Sequence, residues 1–137
     1  MSIETVPAVV DWVRLQPACL IKGAFDSLRA GVEADIKSYN AMLNLQLSQE
    51  IKLSSELSTI FIVVRKTFSS AHVEFARRGS SVEIRQEEVE NPTFFSVTPI
   101  FSNFGRCRWK LNDDELEQWQ VRKMALEKLL FPTQFGL

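Results

Sequence analysis

Apolar residues recur at three- and four-residue spacing in two stretches of the chain. Phe25, Leu28, Val32, Ile36, Tyr39 and Leu43 form the first set, and Leu57, Ile60, Phe61, Val64, Phe68, Ala71 and Phe75 the second. Such spacing places each set on one side of a 3.6-residue helix, so the pattern predicts two long amphipathic helices. The first begins near Ala24 and carries Asp26, Arg29, Glu33 and Lys37 on its polar side. Gly23 separates it from a short apolar helix that Thr5 caps, that contains Val9, Val10, Trp12, Val13 and Leu15, and that Pro17 closes.

The second stripe admits a competing reading. Ile60 to Val64 have strand propensity, and Val73, Phe75, Val82 and Ile84 could form a hairpin around Arg78 and Gly79. The helix over 55–78 is preferred because seven apolar residues share a face. Ser54 or Ser55 can also cap its start, and Arg77, Arg78 and Gly79 suit its end. Between the stripes, residues 43–53 alternate at Leu43, Leu45, Leu47, Ile51 and Leu53. They are read as a helical continuation, with a small hairpin as the alternative.

From Ser80 the period becomes two. Val82 and Ile84, then Phe95, Val97 and Phe101, then Cys107, Trp109 and Leu111 alternate with polar neighbours, which predicts three antiparallel strands. Gly105 suits the positive φ of a short hairpin loop, and Pro99 points to an edge or bulge because it donates no ladder hydrogen bond. Asn112 and Glu115 read as a capping box opening a last helix with Leu116, Trp119, Leu126 and Leu130 inward. Trp109 and Trp119 are expected to meet in the core. The predicted fold class is α+β: N-terminal helices, two of them long and amphipathic, a small antiparallel meander of about three strands, and a C-terminal helix packed on the sheet. Nothing divides residues 1–137, so one domain is expected.

Composition adds aromatic bulk to this picture, with ten Phe, three Trp and one Tyr. Sixteen basic residues against seventeen acidic ones leave a net charge of −1, which argues against a surface built for nucleic acid or anionic lipid. No apolar run reaches the roughly 18 residues of a membrane span, and the cytoplasm is the expected compartment. Cys19 and Cys107 are read as buried free thiols, with a disulfide between them as the alternative.

Chemistry is sparse. His72 is the single histidine and reads as a hydrogen-bonded flank residue; Glu87, Glu88 and Glu90 read as a solvated acidic loop; the five glycines are scattered singly, so no phosphate loop exists. No cofactor or metal is expected. Alternation throws Arg106, Arg108 and Lys110 onto one strand face, where Arg85 can join them as an anion or partner surface. Phe61, Phe68, Phe95, Trp109 and Trp119 are candidate walls of an apolar cavity between sheet and helices.

The function expected from these features is a non-enzymatic interaction or assembly module. Its excess apolar surface is covered by a second copy, with the N-terminal helical region at the contact. The alternatives are a carrier of a small apolar ligand and a weak binder of nucleic acid or anions through the basic strand face. A homodimer is the expected partner state, a different protein partner is compatible with it, and neither membrane nor nucleic acid is expected.

Overall fold

The computed structural model describes residues 11–42, 50–65, 71–87, 93–103 and 105–131. Among them the chain forms α1 (Trp12–Leu15), a 3-10 turn (Gln16–Cys19) and one long helix, α2 (Ile21–Ala41). Seven strands follow: β1 (Ile51–Leu57), β2 (Ile60–Arg65), β3 (His72–Arg78), β4 (Ser81–Glu87), β5 (Thr93–Phe101), β6 (Cys107–Leu111) and β7 (Asp114–Leu116). Helix α3 (Gln118–Leu130) comes last. The strands lie in sequence order in one antiparallel sheet.

Helix α2 follows its periodicity. Phe25, Leu28, Val32, Ile36 and Tyr39 are all buried, and Asp26, Glu33 and Lys37 face solvent. Gly23 lies within the helix rather than before it. A Cβ there would stand 2.8 Å from the Ala18 carbonyl oxygen, so the missing side chain lets the 3-10 turn pack against the first turn of α2.

The second predicted helix does not form. Residues 51–57, 60–65 and 72–78 are strands, so among the described residues the sheet has seven strands rather than three and one helix is long. Phe61, Val63 and Arg65 turn inward from β2 and Val73 and Phe75 from β3, while Ile60, Ile62 and Val64 line the other face. Phe61 and Phe75 belong to both patterns, which is why the helical count looked complete. Val63 and Val73, which lie off the helical stripe, are buried in the core. The β-branched run was the deciding signal, because such side chains pack well on a pleated surface and lose rotamer freedom in a helix. Arg78, Gly79 and Ser81 form a hairpin: Arg78 pairs with Ser81, and Gly79 has φ +59°. Ile51 and Leu53 belong to β1 rather than to a helical continuation; the leucines at 43, 45 and 47 lie outside the described residues.

Asn112 and Glu115 do not cap a helix. Leu111 pairs with Asp114 across a two-residue turn in which Asn112 takes φ 54°, a conformation that asparagine tolerates. Helix α3 starts later, where the Glu117 amide donates to Gln120 Oε1 at 2.8 Å. Its buried residues are Val121, Ala125, Leu126 and Leu129. Trp119 is 55% exposed whereas Trp109 is 3% exposed, so the two tryptophans are not core neighbours.

The core fills the inner face of the sheet. Phe25 of α2 meets Phe61 at 5.3 Å between ring centroids, and Phe61 stacks on Phe75 at 4.5 Å. Gln86 of β4 holds α3 in place. Its Nε2 donates to the carbonyl oxygens of Met124 at 2.8 Å and Ala125 at 2.9 Å, while Thr93 Oγ1 donates to its Oε1 at 2.6 Å. That buried amide is therefore satisfied at both ends. Asn40 does the same for α2: its side chain exchanges two hydrogen bonds with the backbone of Ile51, joining the end of α2 to β1. Strand β5 changes partner midway, from β4 up to Val97 to β6 from Thr98 onward. Pro99 sits just past that exchange, where its absent N–H has no β4 acceptor to miss.

Cys19 and Cys107 are joined in a disulfide with their Cα atoms 5.2 Å apart. The expectation of free thiols is thereby corrected. Alternation alone could not show that the 3-10 turn brings Cys19 against the start of β6. No described helix is long and apolar enough to cross a membrane.

Candidate functional site

Two features of the surface stand out from this framework. The first is a groove between α2 and α3. Ser27, Gly31 and Asp35 recur every four residues on α2 and face Gln118 and Arg122, four apart on α3. Gln118 Nε2 donates to Ser27 Oγ at 3.0 Å, and Arg122 Nε lies 3.4 Å from Asp35 Oδ2. Between these contacts a Cβ on Gly31 would meet Arg122 Nη1 and come within 2.6 Å of Gln118 Oε1, so glycine lets the arginine lie flat across α2. Burial pushes the Asp35 carboxyl above its ordinary range, because desolvation disfavours its charge more than the Arg122 guanidinium restores it.

Beyond that ion pair the helices part, leaving a groove of about 400 Å³. Tyr39, Met42, Trp119, Leu126, Leu130 and Phe131 form its apolar lining, and Lys123 and Glu127 pair at 2.6 Å on its rim. Tyr39 and Phe131 meet edge to face at 5.7 Å.

The second feature is the N-terminal segment. Trp12, Val13, Leu15 and Leu20 are between 43 and 64% exposed, four large apolar side chains within nine residues. Asp11 precedes them and Arg14 lies between Val13 and Leu15, and the Asp11 side chain accepts a hydrogen bond from the Arg14 amide at 3.3 Å. Helix α1 contributes no buried residue, and Cys19 is the buried residue of the adjoining turn.

The residues singled out in the sequence fall elsewhere. Arg106 and Arg108 both approach Glu117 Oε1, at 3.3 and 3.7 Å, and Arg108 also donates to the Glu115 carbonyl at 3.4 Å. They hold the N-terminus of α3 beside β6. Lys110 is exposed opposite Thr98, whereas Arg85 stands two strands away opposite Phe94 and pairs with Glu87 at 3.8 Å. The four cations are thus not gathered into one patch. Of the proposed cavity walls, Phe61 and Trp109 are packed into the core and Phe95 is partly buried against it. Trp119 lines the α2–α3 groove on the outer side of the helix layer, and Phe68 lies outside the described residues. His72 pairs with Glu87, its neighbour across β3 and β4, at 3.4 Å; Glu88 and Glu90 are outside the described residues.

Sequence reasoning did not find the groove. The four-residue repeat of Ser27, Gly31 and Asp35 was its visible trace, a small polar strip beside the apolar stripe of α2. No protein-family model matches the chain, and comparison with curated proteins and with solved structures gave no significant match.

Proposed function

We propose that the protein is a non-enzymatic interaction module that self-associates as a homodimer through its N-terminal segment. The observation that carries this reading is the exposure of Trp12, Val13, Leu15 and Leu20 in one short stretch. Apolar side chains clustered in this way are a common mark of a contact surface. Two features favour a second copy as the occupant. The net charge of −1 gives little long-range repulsion between copies. Asp11 at the N-cap of α1 and Arg14 in its last turn are self-complementary, since a two-fold pairing of antiparallel segments sets each carboxylate toward an arginine. A stable contact needs roughly 1,000 Å² or more of total buried area, so the four side chains would form its centre.

Sedimentation equilibrium at micromolar concentration tests the reading. The expected mass is twice that of the chain, returning to one chain in a Trp12→Glu, Leu15→Glu variant whose circular dichroism is unchanged. A wild-type protein that stays monomeric at that concentration overturns it.

A second reading is favoured by the α2–α3 groove, whose volume of about 400 Å³ is in the range of small-molecule sites. A flat apolar ligand would stack against Trp119 and Tyr39, and titration with an aromatic probe dye should quench the Trp119 component of the fluorescence. The anion-binding alternative draws least support, because Arg106 and Arg108 are engaged by Glu117. The Cys19–Cys107 bridge weighs against the reduced cytoplasm and in favour of an oxidising compartment.

A further inference from the structure

Among the described residues, the segment that carries the exposed apolar patch buries one side chain, that of Cys19, while its 3-10 turn packs on the first turn of α2 and beside β5 and β6. Helix α1 buries nothing, and within the 3-10 turn Cys19, 4% exposed, is the buried residue. Its sulfur is bonded to Cys107 at the first position of β6, 88 residues away. Cys107 is exposed. The bond ties the 3-10 turn, which lies beside β5 and β6, to the sheet; Trp12, Val13 and Leu15 precede that turn and Leu20 leads from it into α2. Gly23, whose hydrogen lets Ala18 lie close, sets how the turn leaves the helix.

We propose that the Cys19–Cys107 bridge is a redox-controlled anchor for the N-terminal segment, opened by a dithiol reductant that attacks at Cys107. The thiolate of the reductant forms a bond to the Cys107 sulfur, and the Cys19 sulfur leaves with the electron pair of the broken bond and takes up a proton. The second thiol of the reductant then attacks the mixed disulfide. Cys107 leaves as a thiolate and is protonated, and the reductant departs as its own disulfide. Two protein thiols form and one dithiol is oxidised. Attack at Cys107 follows from its exposure, since Cys19 is covered. With the bond open, the 3-10 turn keeps its packing on α2, β5 and β6 but loses its covalent tie to the sheet, and the apolar patch loses its fixed geometry. Its consequence for assembly rests on the self-association reading above: the oxidised protein presents an ordered contact surface and the reduced protein does not.

The experiment compares wild-type protein purified without reductant, the same protein held in dithiothreitol, and a Cys19→Ser, Cys107→Ser variant. Thiol titration under denaturing conditions should find no free thiol in the first sample and two in the second. Amide hydrogen exchange over residues 12–20 should then speed up by about tenfold or more on reduction and in the variant, with less than about twofold change in β2, β3 and β4. Two free thiols in the first sample overturn the proposal, as does unchanged exchange at 12–20 after reduction. Loss of protection throughout the sheet in reduced wild type also overturns it, because the bridge would then be a global staple rather than a local anchor. Sedimentation of the oxidised sample separates the two readings. A monomer there refutes self-association, while the exchange result alone decides the anchor.

Discussion

Phe61 lies face to face with Phe75, their ring centroids 4.5 Å apart and their planes 15° from parallel, and the two residues are direct cross-strand partners in β2 and β3. Phe25 leans onto Phe61 from α2 at 5.3 Å, so one ring joins the helix to the sheet. Removing it opens a cavity between both layers. Phe61→Ala is expected to cost about 3 to 5 kcal/mol of stability, and Phe61→Leu less, since much of the volume is kept. Urea unfolding followed by far-ultraviolet circular dichroism gives both values. A loss under about 1 kcal/mol for the alanine variant would contradict the burial of this ring.

The same pair shows what the sequence could convey and where it misled. Phe61 and Phe75 stand fourteen positions apart, a spacing close to four helical turns and also an even number, so both rings satisfy periods of 3.6 and of two. Val63 and Val73 break the tie because only alternation buries them. Strands β4, β5 and β6 and the stripe of α2 were legible, since none had a rival period, whereas β7 was hidden in what read as the capped start of the last helix. Helix α3 was harder to place. Trp119, Val121, Met124, Ala125, Leu126, Leu129 and Leu130 surround it on most sides, so its inward face depended on where the helix began, and an Asn112 start set the wrong phase. The apolar character of Trp12, Val13 and Leu15 was readable, and with it the surplus of apolar surface at the N-terminal region, but the bond from Cys19 to Cys107 that ties the adjoining turn to β6 was not. The Asp35–Arg122 pair left no more than the Ser27, Gly31 and Asp35 repeat as a local trace, because its two members come from helices far apart in the sequence.

Trp109 and Trp119 should respond oppositely to truncation. Trp109 is buried among core residues, and Trp109→Ala is expected to cost about 3 to 5 kcal/mol. Trp119→Ala should cost less than about 1 kcal/mol, because its ring is already largely in water. Intrinsic fluorescence gives an independent check: the Trp119→Phe variant should lose a red-shifted, iodide-quenchable component, whereas the Trp109→Phe variant should lose a shielded one. Equal quenching of both would contradict the placement of α3.

The Asp35 carboxyl is held above its ordinary value of 3.8, first by burial and against the opposing pull of Arg122. The unfolded chain releases this proton near the ordinary value, whereas the folded protein keeps it to higher pH. Between the two values the folded state binds more protons, so this group's stabilising contribution is complete below about 3.8 and is lost as pH rises through the folded value. Asp35→Asn should remove that descending part of the stability profile. Nuclear magnetic resonance titration of the Asp35 side-chain carboxyl carbon measures the shift directly, and Arg122→Gln should move it higher still by removing the one lowering influence. A midpoint at or below 3.8 in the wild type would show that Arg122 outweighs desolvation.

Gly23 offers the sharpest test of how the N-terminal turn is seated. In an exposed helix interior, Gly→Ala is stabilising by up to about 1 kcal/mol, because alanine loses less backbone entropy on folding. Here the added methyl would stand 2.8 Å from the carbonyl oxygen of Ala18, a backbone atom that cannot rotate away. Relief requires the 3-10 turn to move off α2, and Cys19 at the end of that turn is bonded to Cys107. The bridge resists the movement, so the clash should outweigh the gain in helix propensity and Gly23→Ala should destabilise by about 1 to 3 kcal/mol. In a Cys19→Ser, Cys107→Ser background the turn is free to shift, and the same substitution should become neutral or stabilising. A double-mutant cycle measured by urea unfolding isolates this coupling. Additive effects would show that the turn is seated by contacts other than the bridge.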